Sequence, residues 1–174
     1  MTQNKLTPDE LAMLDEYIEY GEQNSFEDIA VQKVYETLRI TKAQAQKIKE
    51  SDEYVELKRA ISKFDDKRKF GFDTFQNFYK WYKKEPQECY YCHIKQDELD
   101  ELWSKELISS KANKFSATLH IERLNSNEPY SQDNCRLACA VCNNAKSDMI
   151  SKQDFRECFV EGIKKFYNLL KSRL

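Results

Sequence analysis

The chain has 174 residues with 33% charged and 13% aromatic side chains and a formal net charge of −2. This length allows one domain, or one domain with a helical extension. The aromatic content excludes wholesale disorder, and no run of about 18 apolar residues is present, which excludes a membrane span. The first residues lack the basic start and apolar stretch of a signal peptide, so we expect a cytoplasmic protein.

The N-terminal region, residues 1–84, reads as helical. Thr7-Pro8-Asp9-Glu10 is a capping box followed by apolar residues at helical spacing, and Gly21 is expected to end that helix. Ser25 is expected to begin a second helix. Thr41 is expected to cap a third, in which Ala45 and Ile48 face inward. Residues 39–51 have some character of a DNA-reading helix-turn-helix, but plain helical packing is the favoured interpretation.

The segment 55–84 is basic and rich in aromatic residues. It carries 9 basic and 4 acidic side chains. Its rings fall at helical spacing and are predicted to lie in the core, namely Phe75, Phe78, Tyr79 and Tyr82. The lysines and arginines between them remain candidates for contact with phosphate. This region is therefore predicted to contact DNA or a partner protein.

From residue 85 to residue 174 the pattern changes to turn, strand, loop, strand and helix. Residues 114–125 alternate like a strand, and residues 135–142 resemble a second short strand entering a turn. A helix is expected to begin at Asn143. Ser151 is expected to cap a final helix that buries five apolar residues, namely Phe155, Phe159, Ile163, Phe166 and Leu170.

Two Cys-x-x-Cys pairs bracket this region. Cys89 with Cys92 and Cys139 with Cys142 supply four thiolates, the donor set that tetrahedral Zn²⁺ prefers in closed structural sites. A unit this small has little core of its own, so metal binding is expected to supply folding energy. The alternative is a redox-active or an accidental pairing of the cysteines, but the sequence around them lacks the strand context of a thioredoxin-like motif.

The remaining cysteines and one histidine have simpler interpretations. Cys135 and Cys158 have no partner at ligand spacing and are expected to be buried as small apolar residues. His93 directly follows Cys92 and is expected to lie at the surface. Residues 111–174 carry 11 basic and 7 acidic side chains, so the basic excess lies close to the unusual residues.

At this point the sequence resembles the HNH, or ββα-metal, endonuclease superfamily. The resemblance rests on the Cys-x-x-Cys pairs, a histidine on the first strand, an asparagine in the loop, and an asparagine directly after the second pair with lysine three residues on. These residues are His120, Asn134, Asn143 and Lys146. The match covers residues 88–150, about a third of the chain, and does not extend to residues 1–80.

The resemblance implies a role for each matching residue. His120 would be the general base that takes a proton from the attacking water, and Asn134 would hold the loop through hydrogen bonds to backbone. Asn143 would bind a catalytic divalent ion, Mg²⁺ or another, through its amide oxygen. Arg123 and Lys146 could hold phosphates nearby.

One position departs from the family pattern. Members usually carry Asp or His directly before the catalytic histidine as a second metal ligand, and here that residue is Leu119. Glu122 shares a strand face with His120 and could provide the missing carboxylate. The alternative for Glu122 is a salt bridge to Arg123 or to a neighbouring lysine.

The resemblance therefore implies a mainly helical α+β fold: an N-terminal helical region, a zinc-stapled ββα-metal (HNH) unit and a C-terminal helix. The implied function is hydrolysis of DNA phosphodiester bonds, in a restriction or phage-defence, homing or junction-resolving role. The alternative is a catalytically inactive, zinc-stapled module that binds nucleic acid or protein. Cutting both strands with one site per chain would favour a homodimer.

Overall fold

The computed structural model describes residues 6–24, 41–64, 71–72, 74–109 and 117–174. This described part contains eight helices and one two-stranded antiparallel sheet, so the mainly helical α+β class is confirmed. Within it, no helix combines the length and apolar character that crossing a membrane requires. The chain divides into two compact units, Met1–Asp65 with Phe72–Tyr82, and Asp66–Gly71 with Lys83–Leu174.

The described part of the first unit is helical throughout. Its helices are α1 (Pro8–Asn24), α2 (Lys42–Lys49), α3 (Asp52–Lys63) and α4 (Phe75–Lys84), the last of which ends two residues beyond the unit.

Two predicted helix starts in this unit are confirmed. The Thr7 backbone N–H donates to Glu10 Oε2 at 2.8 Å, and Thr41 and Gln44 form the same reciprocal arrangement at the start of α2. The expected end of α1 at Gly21 is wrong, because the helix runs on to Asn24. Glycine permits a helix end but does not force one. The helix expected from Ser25 lies outside the described residues.

The core of the first unit is aromatic, as predicted. The four rings of α4 named above are all buried, and Phe75 stacks on Tyr79 with ring centroids 5.7 Å apart. Leu57 and Ala60 of α3 are fully buried. These rings fill the core and are not exposed for stacking on nucleic-acid bases.

The described part of the second unit contains the cysteine pairs, the sheet and four helices. In chain order its elements are α5 (Gln96–Ser104), β1 (His120–Arg123), β2 (Cys135–Ala138), α6 (Ala140–Lys146), α7 (Lys152–Cys158) and α8 (Val160–Lys171). The strands pair with His120 opposite Ala138 and Arg123 opposite Cys135. The start of β1 therefore lies at the same end of the sheet as the start of α6.

Two helix boundaries differ from the prediction. The helix expected after the second cysteine pair begins inside that pair, at Ala140 rather than at Asn143, because Cys139 serves as its N-cap and Cys139 Sγ accepts the Cys142 N–H at 3.4 Å. The single C-terminal helix is two helices, which meet at Phe159. Ser151 caps the first of them, as predicted.

The break at Phe159 changes which side chains of the C-terminal segment are buried. Phe155, Ile163 and Leu170 are buried as expected, but Phe159 and Phe166 are exposed. The buried face of α8 is instead a regular helical stripe of Val160, Ile163, Tyr167 and Leu170. Cys158, expected to be buried, is exposed at the end of α7, whereas Cys135 is buried.

Candidate active site and metal centre

Four thiols converge in the second unit. The Sγ atoms of Cys89, Cys92, Cys139 and Cys142 all lie within 4.8 Å of one another, and all four residues are buried. Cys92 Sγ lies 3.7 Å from Cys139 Sγ. A tetrahedral ion with Zn–S bonds of about 2.3 Å would hold its sulfur ligands about 3.8 Å apart. The cluster therefore has the donors and the spacing of a closed structural metal site.

Backbone hydrogen bonds shape the first cysteine turn. The His93 N–H donates to Cys89 C=O at 2.9 Å, and the Cys89 N–H donates to Ile94 C=O at 2.8 Å. His93 occupies the left-handed region with φ of 62°, which closes the turn and leaves its side chain exposed, as predicted. The Tyr90 N–H donates to Leu137 C=O, so the turn is tied directly to β2.

The thiols affect one another's ionisation. The hydrogen bond with Cys139 lowers the pKa of Cys89, and the hydrogen bond with Cys142 lowers the pKa of Cys139. Hydrogen bonding to Cys139 raises the pKa of both Cys92 and Cys142. Thiolates this close repel one another, so only a cation at the centre lets all four ionise together.

The sheet and α6 bring His120 and Asn143 to one region. Glu122 contacts Lys146 of α6, so the face of β1 that carries Glu122 is directed toward that helix. His120 lies two residues before Glu122 and therefore shares that face. In the sheet His120 pairs with Ala138, and α6 begins two residues later, at Ala140. Asn143 lies one turn into α6. Both His120 and Asn143 are half-buried.

Asn134 is a buried residue that organises the hairpin loop. Its Oδ1 accepts the Asn125 N–H at 2.9 Å, and its Nδ2 donates to the carbonyl oxygens of Asn125 and Pro129, both at 3.0 Å. Just beyond β1 the Leu124 N–H still donates to Asn134 C=O, and the Asn134 side chain then pairs with the backbone of Asn125 in place of a further strand residue. This explains why the strand predicted over 114–125 ends at Arg123 within the described residues.

Glu122 and Lys146 form a buried ion pair. Lys146 Nζ lies 2.7 Å from Glu122 Oε1, and both side chains are less than a tenth exposed. The same ammonium group donates to Arg123 C=O, Ser126 Oγ and Ser147 C=O. Burial raises the pKa of Glu122, and the hydrogen bond from Lys146 opposes that rise.

This pairing bears on two expected roles. Lys146 was expected to contact phosphate, but its ammonium group is enclosed and directed at four protein oxygens, so it stabilises the contact between β1 and α6. For Glu122, this contact favours the salt-bridge interpretation over the role of metal ligand. A ligand role would require the ion to replace Lys146. Leu119 is fully buried and offers no ligand atom.

Arg123 lies at the other end of β1, where the hairpin loop begins. Its Nη2 pairs with Asp148 Oδ1 at 3.0 Å, and its guanidinium lies 4.9 Å from the centre of the Tyr130 ring. Asp148 is largely exposed. A phosphate that binds Arg123 would therefore have to compete with a solvent-screened carboxylate, which is a weak competitor.

Two residues near the site were missed by the sequence analysis. Gln96, at the start of α5, is buried and bonds the backbone just before β1. Tyr167 of α8 is buried, and burial together with its interaction with Cys139 raises the pKa of the Tyr167 hydroxyl. Amphipathic spacing marks Tyr167 as a core residue, but no motif marks either residue as a neighbour of the site.

The second unit thus contains a β hairpin followed directly by a helix and anchored by a four-thiol centre. Residues 110–149 match the model of the HNH endonuclease family. The resemblance found in the sequence is confirmed, and these residues carry the HNH endonuclease motif.

The chain is similar to the solved structure of the rare-cutting HNH restriction endonuclease PacI, described for its mechanism of DNA perturbation. The match has 30% sequence identity and a TM-score of 0.45, and it covers 55% of this chain and 64% of that chain. No curated protein matches the chain.

The buried ion pair makes a prediction about stability. Changing Glu122→Gln leaves the Lys146 ammonium buried without a carboxylate, and breaking a buried pair in this way costs about 3–5 kcal/mol. Changing Glu122→Leu together with Lys146→Met removes both charges at once and should recover most of that loss. Urea unfolding in buffer containing zinc measures both effects.

The matched control for this prediction is Glu161→Gln. Glu161 and Lys164 are also 2.7 Å apart, but on the exposed surface of α8, so the midpoint should not shift measurably. Equal shifts for Glu122→Gln and Glu161→Gln would contradict a stabilising role for the buried pair.

Proposed function

We propose that the second unit is the nuclease part of a metal-dependent HNH endonuclease that hydrolyses DNA phosphodiester bonds. The observation that supports this most directly is the placement of His120 beside the helix that carries Asn143, inside the segment that matches the HNH family. Residues 85–174 would form the nuclease domain. Residues 1–84 would contact DNA or a partner, supported by the basic excess between residues 55 and 84.

In the proposed reaction, His120 accepts a proton from water as its oxygen attacks phosphorus. The bond from phosphorus to the 3′ oxygen breaks and the leaving oxygen takes up a proton from solvent, which leaves a 5′-phosphate and a 3′-hydroxyl. Holding the base beside the phosphate converts a bimolecular step into an effectively unimolecular one. Arg123, at the far end of β1, is proposed to hold a neighbouring phosphate by exchanging its Asp148 partner.

The residues near His120 provide only a partial set for a catalytic divalent ion. Asn143 offers one neutral amide oxygen, while Glu122 is engaged by Lys146 and Leu119 offers none. A hard ion such as Mg²⁺ binds through few protein oxygens when phosphate supplies the rest. Such an ion, bound by Asn143 and the DNA phosphate, would stabilise charge on the leaving oxygen.

The four-cysteine site is proposed to bind Zn²⁺ in a structural role. Four thiolates leave no open coordination position, so this ion would hold the first cysteine turn, β2 and α6 together and take no part in the reaction. The proposal thus includes two metals with separate roles. One would be buried and tightly bound, and the other would be exchangeable.

A plasmid-nicking assay tests the proposed activity. Purified protein is incubated with supercoiled DNA in Mg²⁺, in Mn²⁺ or without added divalent ion, and we expect nicked circles only when the ion is present. If no nicking occurs under any of these conditions, the runner-up function is favoured. That function is an inactive zinc-containing module that binds nucleic acid or protein, and the buried Leu119 at the family's ligand position supports it.

Asn143→Ala should raise the Mg²⁺ concentration needed for half-maximal nicking without changing the amount of cysteine-bound zinc. Asn143→Asp should lower that concentration, because a carboxylate binds a hard cation more strongly than an amide. Titrating Mg²⁺ for the three proteins measures the effect. Asn144→Ala, at the exposed next position, is the control. Identical Mg²⁺ dependence for all of them would remove Asn143 as a ligand.

Glu122 is tested separately, as a substitute ligand. The variant carrying both Glu122→Leu and Lys146→Met keeps the volume of the pair but has no carboxylate. Normal nicking by a folded double variant would exclude a ligand role for Glu122, and a severe loss with unchanged zinc content would support it.

The biological role is proposed to be restriction or phage defence. Homing-type nicking and junction resolution are the alternatives that the same motif allows, and cleavage of unmodified, site-specific or branched DNA distinguishes the three. Because each chain carries one such site, cutting both strands is proposed to involve a homodimer.

A further inference from the structure

Gln96 is a buried amide that bonds the chain immediately before His120. Its Oε1 accepts the Leu119 N–H at 2.9 Å, and its Nε2 donates to Ala117 C=O at 2.9 Å. The residue is only 5% exposed. A side-chain amide that bonds the C=O and N–H on either side of one residue imitates a neighbouring β strand, so it fixes the direction in which β1 begins.

The orientation of this amide is determined by its partners. Nε2 also donates to Asp100 Oδ1 at 3.0 Å. Two acceptors, the Asp100 carboxylate and the Ala117 carbonyl, therefore require the NH₂ group, and the Leu119 N–H requires the oxygen. A flipped amide would place its oxygen against the two acceptors and its NH₂ group against the Leu119 N–H. Only the observed orientation of the amide is therefore stable.

Gln96 also connects His120 to the cysteine site. It lies four residues after Cys92, and its backbone N–H donates to Gln87 C=O at 2.9 Å, on the chain entering the first cysteine turn. Glu88 and Lys95 form an isolated bridge beside it. Gln96 thus links the chain entering the first cysteine turn to Leu119, the residue preceding His120.

We propose that Gln96 is a positioning residue that sets the direction of His120 relative to α6. This rests on the proposed nuclease function, in which His120 is the base, but the contact can be tested without it. Gln96 does not touch the reacting atoms. Its effect is expected on the chemical step and not on DNA binding, because a base displaced by about 1 Å costs roughly 100-fold in rate.

The main variant is Gln96→Met, which keeps the volume of the side chain and removes all three hydrogen bonds. We expect kcat for nicking to fall roughly 10- to 100-fold, with KM and zinc content unchanged. Gln96→Glu keeps an acceptor for Leu119 but places a carboxylate against the Asp100 carboxylate and the Ala117 carbonyl, so its kcat should fall at least as far. Gln153→Met removes an exposed amide whose Nε2 donates only to Glu157 in the same helix, and should leave kcat unchanged.

Hydrogen exchange on the wild-type protein tests the contact independently of activity and of whether the variants fold. In the wild-type protein the Leu119 amide should exchange slowly. In Gln96→Met this exchange should accelerate, and the NMR resonances of the His120 ring should shift. Rapid exchange of Leu119 in the wild type, or unchanged His120 resonances in a folded Gln96→Met, would overturn the proposal. A wild-type protein that does not cut DNA but shows both effects would remove the nuclease function and keep Gln96 as the residue that positions His120.

Discussion

His120→Ala should abolish DNA nicking while leaving the protein folded. Loss of a general base costs about two to four orders of magnitude in rate. His120 is half-buried at the first position of β1, where its backbone pairs with Ala138, and alanine keeps that backbone pairing. The measurement is the single-turnover rate of nicking at saturating Mg²⁺, together with DNA affinity and zinc content, neither of which should change.

The chain contains a matched control for this experiment. The only other histidine is His93, which is exposed and contacts Glu88. Because His93 has a φ of 62°, alanine would be strained there, and asparagine, which tolerates the left-handed region, is the suitable replacement. His93→Asn should nick DNA at the wild-type rate. Full activity of His120→Ala would instead exclude the proposed mechanism and favour the binding module.

The sequence alone predicted the four-thiol cluster because its signal is local. Two Cys-x-x-Cys pairs specify both the donors and their approximate geometry, and the structure brings all four thiols together. The hairpin was predicted for the same reason, from alternation and turn residues. The length of β1 was not predicted, since beyond Arg123 the pairing passes to the side chain of Asn134, eleven residues further along.

The surroundings of His120 could not be predicted because they depend on contacts distant in sequence. Lys146 reaches Glu122 across 24 positions, and Gln96 reaches Leu119 across 23. Neither residue is marked by periodicity. A buried lysine and a buried glutamine are read as surface residues until their partners are known. The break at Phe159 was missed for a related reason: apolar spacing continues through it, and only the packing of α8 determines which stripe is buried.

Removing the proposed structural zinc should have the largest effect on the fold. Binding of zinc by four thiolates contributes about 10–16 kcal/mol in small metal-dependent domains, which is comparable to or larger than the stability of a whole domain. In this unit the ion would join the first cysteine turn, the end of β2 and the start of α6. We therefore expect β1, β2 and α6 to lose protection from hydrogen exchange together when zinc is chelated.

Cys139→Ser tests this while keeping an N-cap residue for α6. Cys139 is also the N-cap of that helix, and serine is among the preferred N-cap residues, so the substitution removes a thiolate but keeps a capping acceptor. We expect zinc content to fall from about one ion per chain to none, and the second unit to unfold. Cys158→Ser removes an exposed thiol outside the cluster and should change neither. An unchanged melting curve for metal-free Cys139→Ser would mean that the hairpin and α6 are held by packing and the Glu122–Lys146 pair alone. In that case the four thiols would not be a folding determinant.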